Sequence, residues 1–188
     1  MAGIGHNSGK VDEPGFAWRR HVWTKARKDL LPRLPIEVVR LRVRRAKALG
    51  LPYKTYAGIR ASTGHDLIGF LFSSNALRVL GNGQAIPQDR AVKLAQVDAH
   101  RIGLAQHPVL PATLNTQGLI DSVHAAPVFS GTWTDMRDHM AAIIRTEGRP
   151  ADRFVLVGDT AFEREWAEAA RTAGYLAADR YFPDLGAS

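Results

Sequence analysis

Phe154-Val155-Leu156-Val157-Gly158-Asp159-Thr160-Ala161-Phe162-Glu163 is the stretch that decides the fold class. Its first four residues are a short apolar run, rich in valine and closed by glycine, as in a buried strand. Thr160-x-x-Glu163 then forms a capping box, in which the threonine hydroxyl takes the amide of the third helical residue and the glutamate returns to the amide of the cap. Phe162, Trp166, Ala169 and Ala173 follow at helical spacing, and Gly174 is the expected stop. Downstream, Tyr175 to Phe182 is expected to return as a strand. Upstream, Thr132 is placed to cap a helix whose Trp133, Met136, Met140 and Ile143 share one face. Strand and helix alternating over short loops predict an α/β fold, a mostly parallel sheet with flanking helices.

The same reading extends toward the N-terminus. Leu67-Ile68-Gly69-Phe70-Leu71-Phe72 is a second continuous apolar run, compatible by periodicity with a buried strand or a buried helix and read as a strand, followed by Ser73-Ser74-Asn75 and by Gly81-Asn82-Gly83. Pro87 to Leu104 reads as one helix, with Ala91, Leu94, Ala95 and Ile102 on a common face. Residues 108 to 118 read as loop, and Val123 to Phe129 as a strand weakened by Pro127. The α/β domain is thus expected over residues 64–188.

Residues 1–63 differ in character. Residues 1–15 are rich in glycine and small polar side chains and read as a flexible tail; residues 16–63 read as a basic helical segment. Residues 1 to 60 hold 14 of the 25 Lys and Arg but only 4 of the 18 Asp and Glu. Trp18, Val22, Ala26 and Leu30 recur at helical spacing. After Pro32 and Pro35, a second helix is expected up to Gly50, although Val39 to Arg44 also alternates with period two. On that helix Ile36, Val39, Val43 and Ala46 form an apolar stripe, and Arg40, Arg44 and Lys47 a basic one. A further helix from Tyr53 to Ser62 completes a helix-turn-helix outline.

Several chemistries are excluded. The chain has no cysteine, which removes disulfides, thiolate metal sites and cysteine nucleophiles. The N-terminus lacks a signal-peptide core and a glycine at position two, and no apolar run approaches a membrane span, so a cytoplasmic protein without membrane contact is expected. Gly3 to Lys10 fails as a phosphate loop, because Ile4 stands where the first glycine belongs and Val11 where Ser or Thr belongs. The seven histidines show no His-Glu-x-x-His, so no metal is expected, and no cofactor motif is present.

Arginine and lysine interleaved with aromatic rings supply phosphate donors beside stacking groups. The leading expectation is therefore an accessory or regulatory protein that binds nucleic acid, DNA or RNA, through Arg19, Arg20, Lys25, Arg40, Arg44, Lys47, Lys54, Tyr56 and Arg60. At least Trp18 and one of Tyr53 and Tyr56 are expected in the core. A pure interaction module for an acidic protein partner is a further alternative.

The enzymatic alternative lies at the strand ends, where open α/β sheets bind ligands. Phe72-Ser73-Ser74-Asn75 and Val157-Gly158-Asp159-Thr160 resemble the second and fourth motifs of haloacid dehalogenase-like phosphatases. That likeness implies a phosphate-ester site at Ser73 to Asn75 and Asp159 to Thr160. The family's Asp-x-Asp nucleophile motif is absent, so no catalytic role carries over; Ser74 and Asp159 are the catalytic candidates. Ser74, His124 and Asp159 are also the residue types of a hydrolytic triad, but no Gly-x-Ser-x-Gly elbow accompanies them.

Overall fold

A computed structural model describes residues 34–114 and 117–182. The tail, the first basic helix and Trp18, Arg19, Arg20 and Lys25 lie outside the described residues. By its contacts the chain divides into Met1–Val39 and Arg40–Ser188. Helix α1, Ile36–Ala48, runs across that division, and every later element belongs to the second unit.

After α1 come α2 (Tyr53–Thr63), β1 (Gly69–Ser73), α3 (Gln88–Gln96), β2 (His100–Ala105), α4 (Pro111–Leu114) and β3 (Ser122–Ala125). Then follow α5 (Trp133–Glu147), β4 (Phe154–Gly158), α6 (Ala161–Ala169), β5 (Gly174–Ala177) and α7 (Ala178–Tyr181). The five strands form one parallel sheet in the order β3-β2-β1-β4-β5. Parallel strands covered on both faces are apolar throughout. Accordingly, every residue of β1 and β4 is buried.

The pleat divides these residues between two cores. Phe70, Phe72, Val155 and Val157 face one layer, with Leu49, Tyr56, Leu94 and Tyr181. Leu71, Phe154 and Leu156 face the other, against Met136, Met140 and Ile143 of α5 and Trp166 of α6. Both threonine capping boxes form: Thr132 with Asp135, and Thr160 with Glu163. Among the described residues, no helix is long and apolar enough to cross a membrane.

Five local expectations are corrected. Pro87 to Leu104 is not one helix, because Arg101 to Ala105 carry the backbone pairing that joins β1 to β3, and that pairing overrides the helical spacing of Leu94 and Ile102. The 108–118 stretch contains the short helix α4. The return after Gly174 is strand only to Ala177 and then turns into α7. On α1, Ile36 and Val43 are exposed, while Arg45 is half-buried and Ala46 and Leu49 are buried; the inward face is rotated from the expected stripe. Finally, Gly174 does not end α6. Arg171 does, at φ 54°, and Gly174 opens β5.

Candidate functional site

The chain winds from β1 through β2 to β3 on one side, then crosses to β4 and β5 on the other. The strand order therefore reverses between β1 and β4, the point at which such sheets open a crevice beyond their carboxyl ends. Phe72 pairs with Val157, which sets Ser73 to Asn75 beside Gly158 to Thr160. The two groups named from the sequence, distant along the chain, are thus neighbours at this switch point.

The segment after β1 closes by a tight turn rather than a helix. Arg78 donates its amide to the Asn75 carbonyl and Val79 to the Ser74 carbonyl, at 2.9 Å each. This is the hydrogen-bond pattern of a Schellman turn, whose left-handed position glycine normally fills. Here Arg78 fills it, at φ 57°. Its guanidinium crosses the crevice to Asp159, Nη1 to Oδ2 at 3.0 Å, with the arginine side chain 53% exposed.

The serines are otherwise engaged. Ser73 and Ser74 are both buried; Ser73 Oγ accepts the Ala76 amide at 2.9 Å, and Ser74 Oγ the Gln106 amide at 3.1 Å. Asn75 donates Nδ2 to Gln106 Oε1 at 2.7 Å, which brings the end of β2 into the same rim. Behind Asp159, Glu163 Oε2 accepts the amides of Asp159 and Thr160 at 2.5 and 2.9 Å. Glu163 is fully buried, and its Oε1 has no hydrogen-bond partner among the described groups. A buried acceptor left open calls for a donor.

The triad is not assembled. His124 Nε2 lies 2.5 Å from Glu147 Oε1, whereas Ser74 and Asp159 sit at the switch point with other partners. Glu147 collects three donors: His124, His100 at 2.7 Å and Ser122 at 2.7 Å. Burial pushes the Glu147 carboxyl up, but Ser122, His124 and His100 together outweigh it and hold the group below the ordinary glutamate value. No sequence spacing signals this cluster, since its members come from β2, β3 and the end of α5. Among the described residues, no group of three or more His, Cys, Asp or Glu has the geometry to hold a metal ion.

The basic helices divide sharply. Arg40, Arg44, Lys47 and Lys54 are exposed. Tyr56 is 1% exposed, and its hydroxyl donates to Asp66 at 2.7 Å; burial, then the Asp66 hydrogen bond, push its phenol up. Its expected stacking role is corrected, because a ring inside the core offers no face to a base. Arg60 lies 3.6 Å from the same carboxylate. Lys93, singled out by no motif, is lowered to about 8 by burial. Its ammonium sits 4.1 Å above the Tyr181 ring and donates to the Tyr181 carbonyl, so it anchors α7.

No family model, curated protein or solved structure matches the chain.

Proposed function

We propose that the protein binds a small phosphate-bearing ligand in the crevice between the carboxyl ends of β1 and β4, with Arg78 as the anion-binding group. The carrying observation is Arg78 itself, a left-handed non-glycine residue that crosses the switch point to Asp159. Backbone strain of this kind concentrates at ligand sites, and the arginine fork suits phosphate oxygens. Asn75, Gln106 and Thr160 supply neutral polar groups around it. The reading assigns binding and no nucleophile, since both serine hydroxyls accept amides within the fold.

Titration calorimetry with inorganic phosphate and para-nitrophenyl phosphate tests this. Arg78→Ala is expected to abolish binding, and Asp159→Asn to tighten it by releasing Arg78 from its competing carboxylate. Unchanged affinity in Arg78→Ala sinks the reading. Release of nitrophenol that Asp159→Asn removes, with the fold retained, converts it into a phosphate-ester hydrolase.

A second reading, nucleic-acid binding by an accessory or regulatory protein, is favoured by one observation. Arg40, Arg44 and Lys47 all lie on the solvent side of α1, with Lys54 exposed near the start of α2. Affinity for duplex or single strand should then fall steeply with salt, and charge reversal at Arg40, Arg44 and Lys47 should weaken it. Equal affinity at low and high salt ends that reading.

A further inference from the structure

On the α5 and α6 side of the sheet, at the C-terminal ends of these two helices and so at the end of α6 opposite the switch point, lies an open groove of about 640 Å³. Arg137, Arg145, Arg149 and Arg171 line it, with Ala141, Ile144, Ala169 and Ala170 among the apolar lining groups, and no carboxylate lines it. Arg137 has a partner, the neighbouring Asp138 at 3.0 Å. None of the described hydrogen bonds or ion pairs engages the side chains of Arg145, Arg149 or Arg171.

The sequence spacing explains the row. Arg137, Ala141 and Arg145 stand at intervals of four, which stacks them along one side of α5. Arg149 follows just past the Gly148 cap. One turn of helix rises about 5.4 Å, so the row spans several turns and holds cations at both ends of a small-residue gap.

Arg171 faces them from the end of α6, and it is held there at a conformational cost. Its amide donates to the Glu168 carbonyl at 3.1 Å and the next amide, Thr172, to Ala167 at 3.0 Å. That pair of bonds is the Schellman closure of α6, and Arg171 occupies the left-handed position at φ 54° where glycine is favoured. A side chain that the local turn disfavours, set beside three like charges, adds electrostatic repulsion and makes no described hydrogen bond or ion pair in return, although Glu168 borders a neighbouring groove with it. A polyanion is the kind of ligand whose charge would offset that repulsion.

We infer that this groove binds a nucleotide carrying two or more phosphates. The volume is that of a small-molecule site rather than of a macromolecular interface. Arg145, Arg149 and Arg171 receive the phosphates, as guanidinium forks do. Ala141 and Ile144 seat the apolar body of the ligand, and the planar guanidinium of Arg137 stacks on the base. The site is independent of Arg78 and shares no residue with the switch point.

Calorimetry on the full chain with ATP, AMP, sodium tripolyphosphate and a single-stranded 20-mer of DNA decides it. ATP is expected to bind more tightly than AMP, which lacks phosphates for three arginines, and more tightly than tripolyphosphate, which leaves the apolar lining empty. Arg145→Ser and Arg171→Gly should each weaken ATP binding about tenfold or more, while Arg78→Ala leaves it unchanged. Arg171→Gly relieves the left-handed strain, so its unfolding temperature should equal or exceed that of the parent, which separates lost binding from lost fold. ATP affinity unchanged in Arg145→Ser and Arg171→Gly overturns the inference. So does binding of the 20-mer, with these arginines required and ATP inert. ATP binding that vanishes in Arg78→Ala alone assigns the nucleotide to the switch point and overturns the groove while supporting the function proposed above.

Discussion

Arg45 Nε stands 3.3 Å from Asp66 Oδ2, and through this pair helix α1 is tied to the residues that lead into β1. The same guanidinium donates Nη2 to the Leu67 carbonyl at 2.8 Å and Nη1 to the Asp98 carbonyl at 3.1 Å. One side chain thus joins α1 to the approaches of both β1 and β2. Its neighbour Arg44 is exposed and belongs to the outward stripe.

Arg45→Ala is accordingly expected to cost about 1.5 to 3 kcal/mol, since it removes charge-assisted hydrogen bonds to groups that stay partly buried. Arg44→Ala should change stability by less than about 0.5 kcal/mol, as exposed substitutions do. Urea unfolding of both variants at neutral pH measures the contrast, and equal effects of the two would remove Arg45 from its structural role.

Within the sheet, Gly69 of β1 is a position with no room for a side chain. It pairs with His100 in the β1–β2 register, and a Cβ there would lie 2.3 Å from the His100 carbonyl oxygen and 2.8 Å from the Phe154 ring. The backbone oxygen is fixed by the ladder and cannot move aside. Gly69→Ala should therefore destabilise by about 3 kcal/mol or more, the upper end of overpacking costs. Gly58→Ala meets nothing within 4 Å and sits mid-helix in α2, so it should stabilise by about 0.5 to 1 kcal/mol. Thermal unfolding of the pair checks both signs.

The Glu147 cluster predicts a pH dependence. Its carboxyl is held below the ordinary value of 4.5 in the folded chain, so the unfolded chain binds more protons as pH falls through that value. The stabilisation is fully present above about 4.5 and is lost as pH drops through the folded value. Glu147→Gln withdraws a charged acceptor from His100, His124 and Ser122, while Asp121 continues to face His100 at 3.7 Å. The expected cost is about 1 to 3 kcal/mol at pH 7. The gap between parent and variant in urea unfolding should narrow as pH falls below 4.5, and a constant gap down to pH 3 would refute the assignment.

Much of the architecture was legible because its signals are local. The Phe154 to Val157 run, the Thr160 and Glu163 box, and the Thr132 cap act within one turn of chain, where side-chain hydrogen bonds and apolar spacing are sufficient. The strand-end residues Ser73 to Asn75 and Asp159 to Thr160 could be named in advance, because α/β sheets place polar loops at carboxyl ends. The alternation of strands and helices over short loops pointed to a mostly parallel α/β sheet, and the five described strands are all parallel.

Strand order, register and convergence of distant residues were not legible, because they depend on pairings across the whole domain. The helical spacing of Ala91, Leu94, Ala95 and Ile102 runs on into His100 to Ala105, which β1 and β3 hold as a strand by pairing with it on both sides. Only the reversal between β1 and β4 brings Arg78 to Asp159, only the packing of α6 against α5 sets Arg171 facing Arg145, and only the burial of Tyr56 withdraws it from the surface. Local hydrogen bonding and burial preference are written residue by residue, so the sequence alone determined the elements. The energy of bringing remote strands and helices together is not, so the tertiary structure alone decided which side chains share a site.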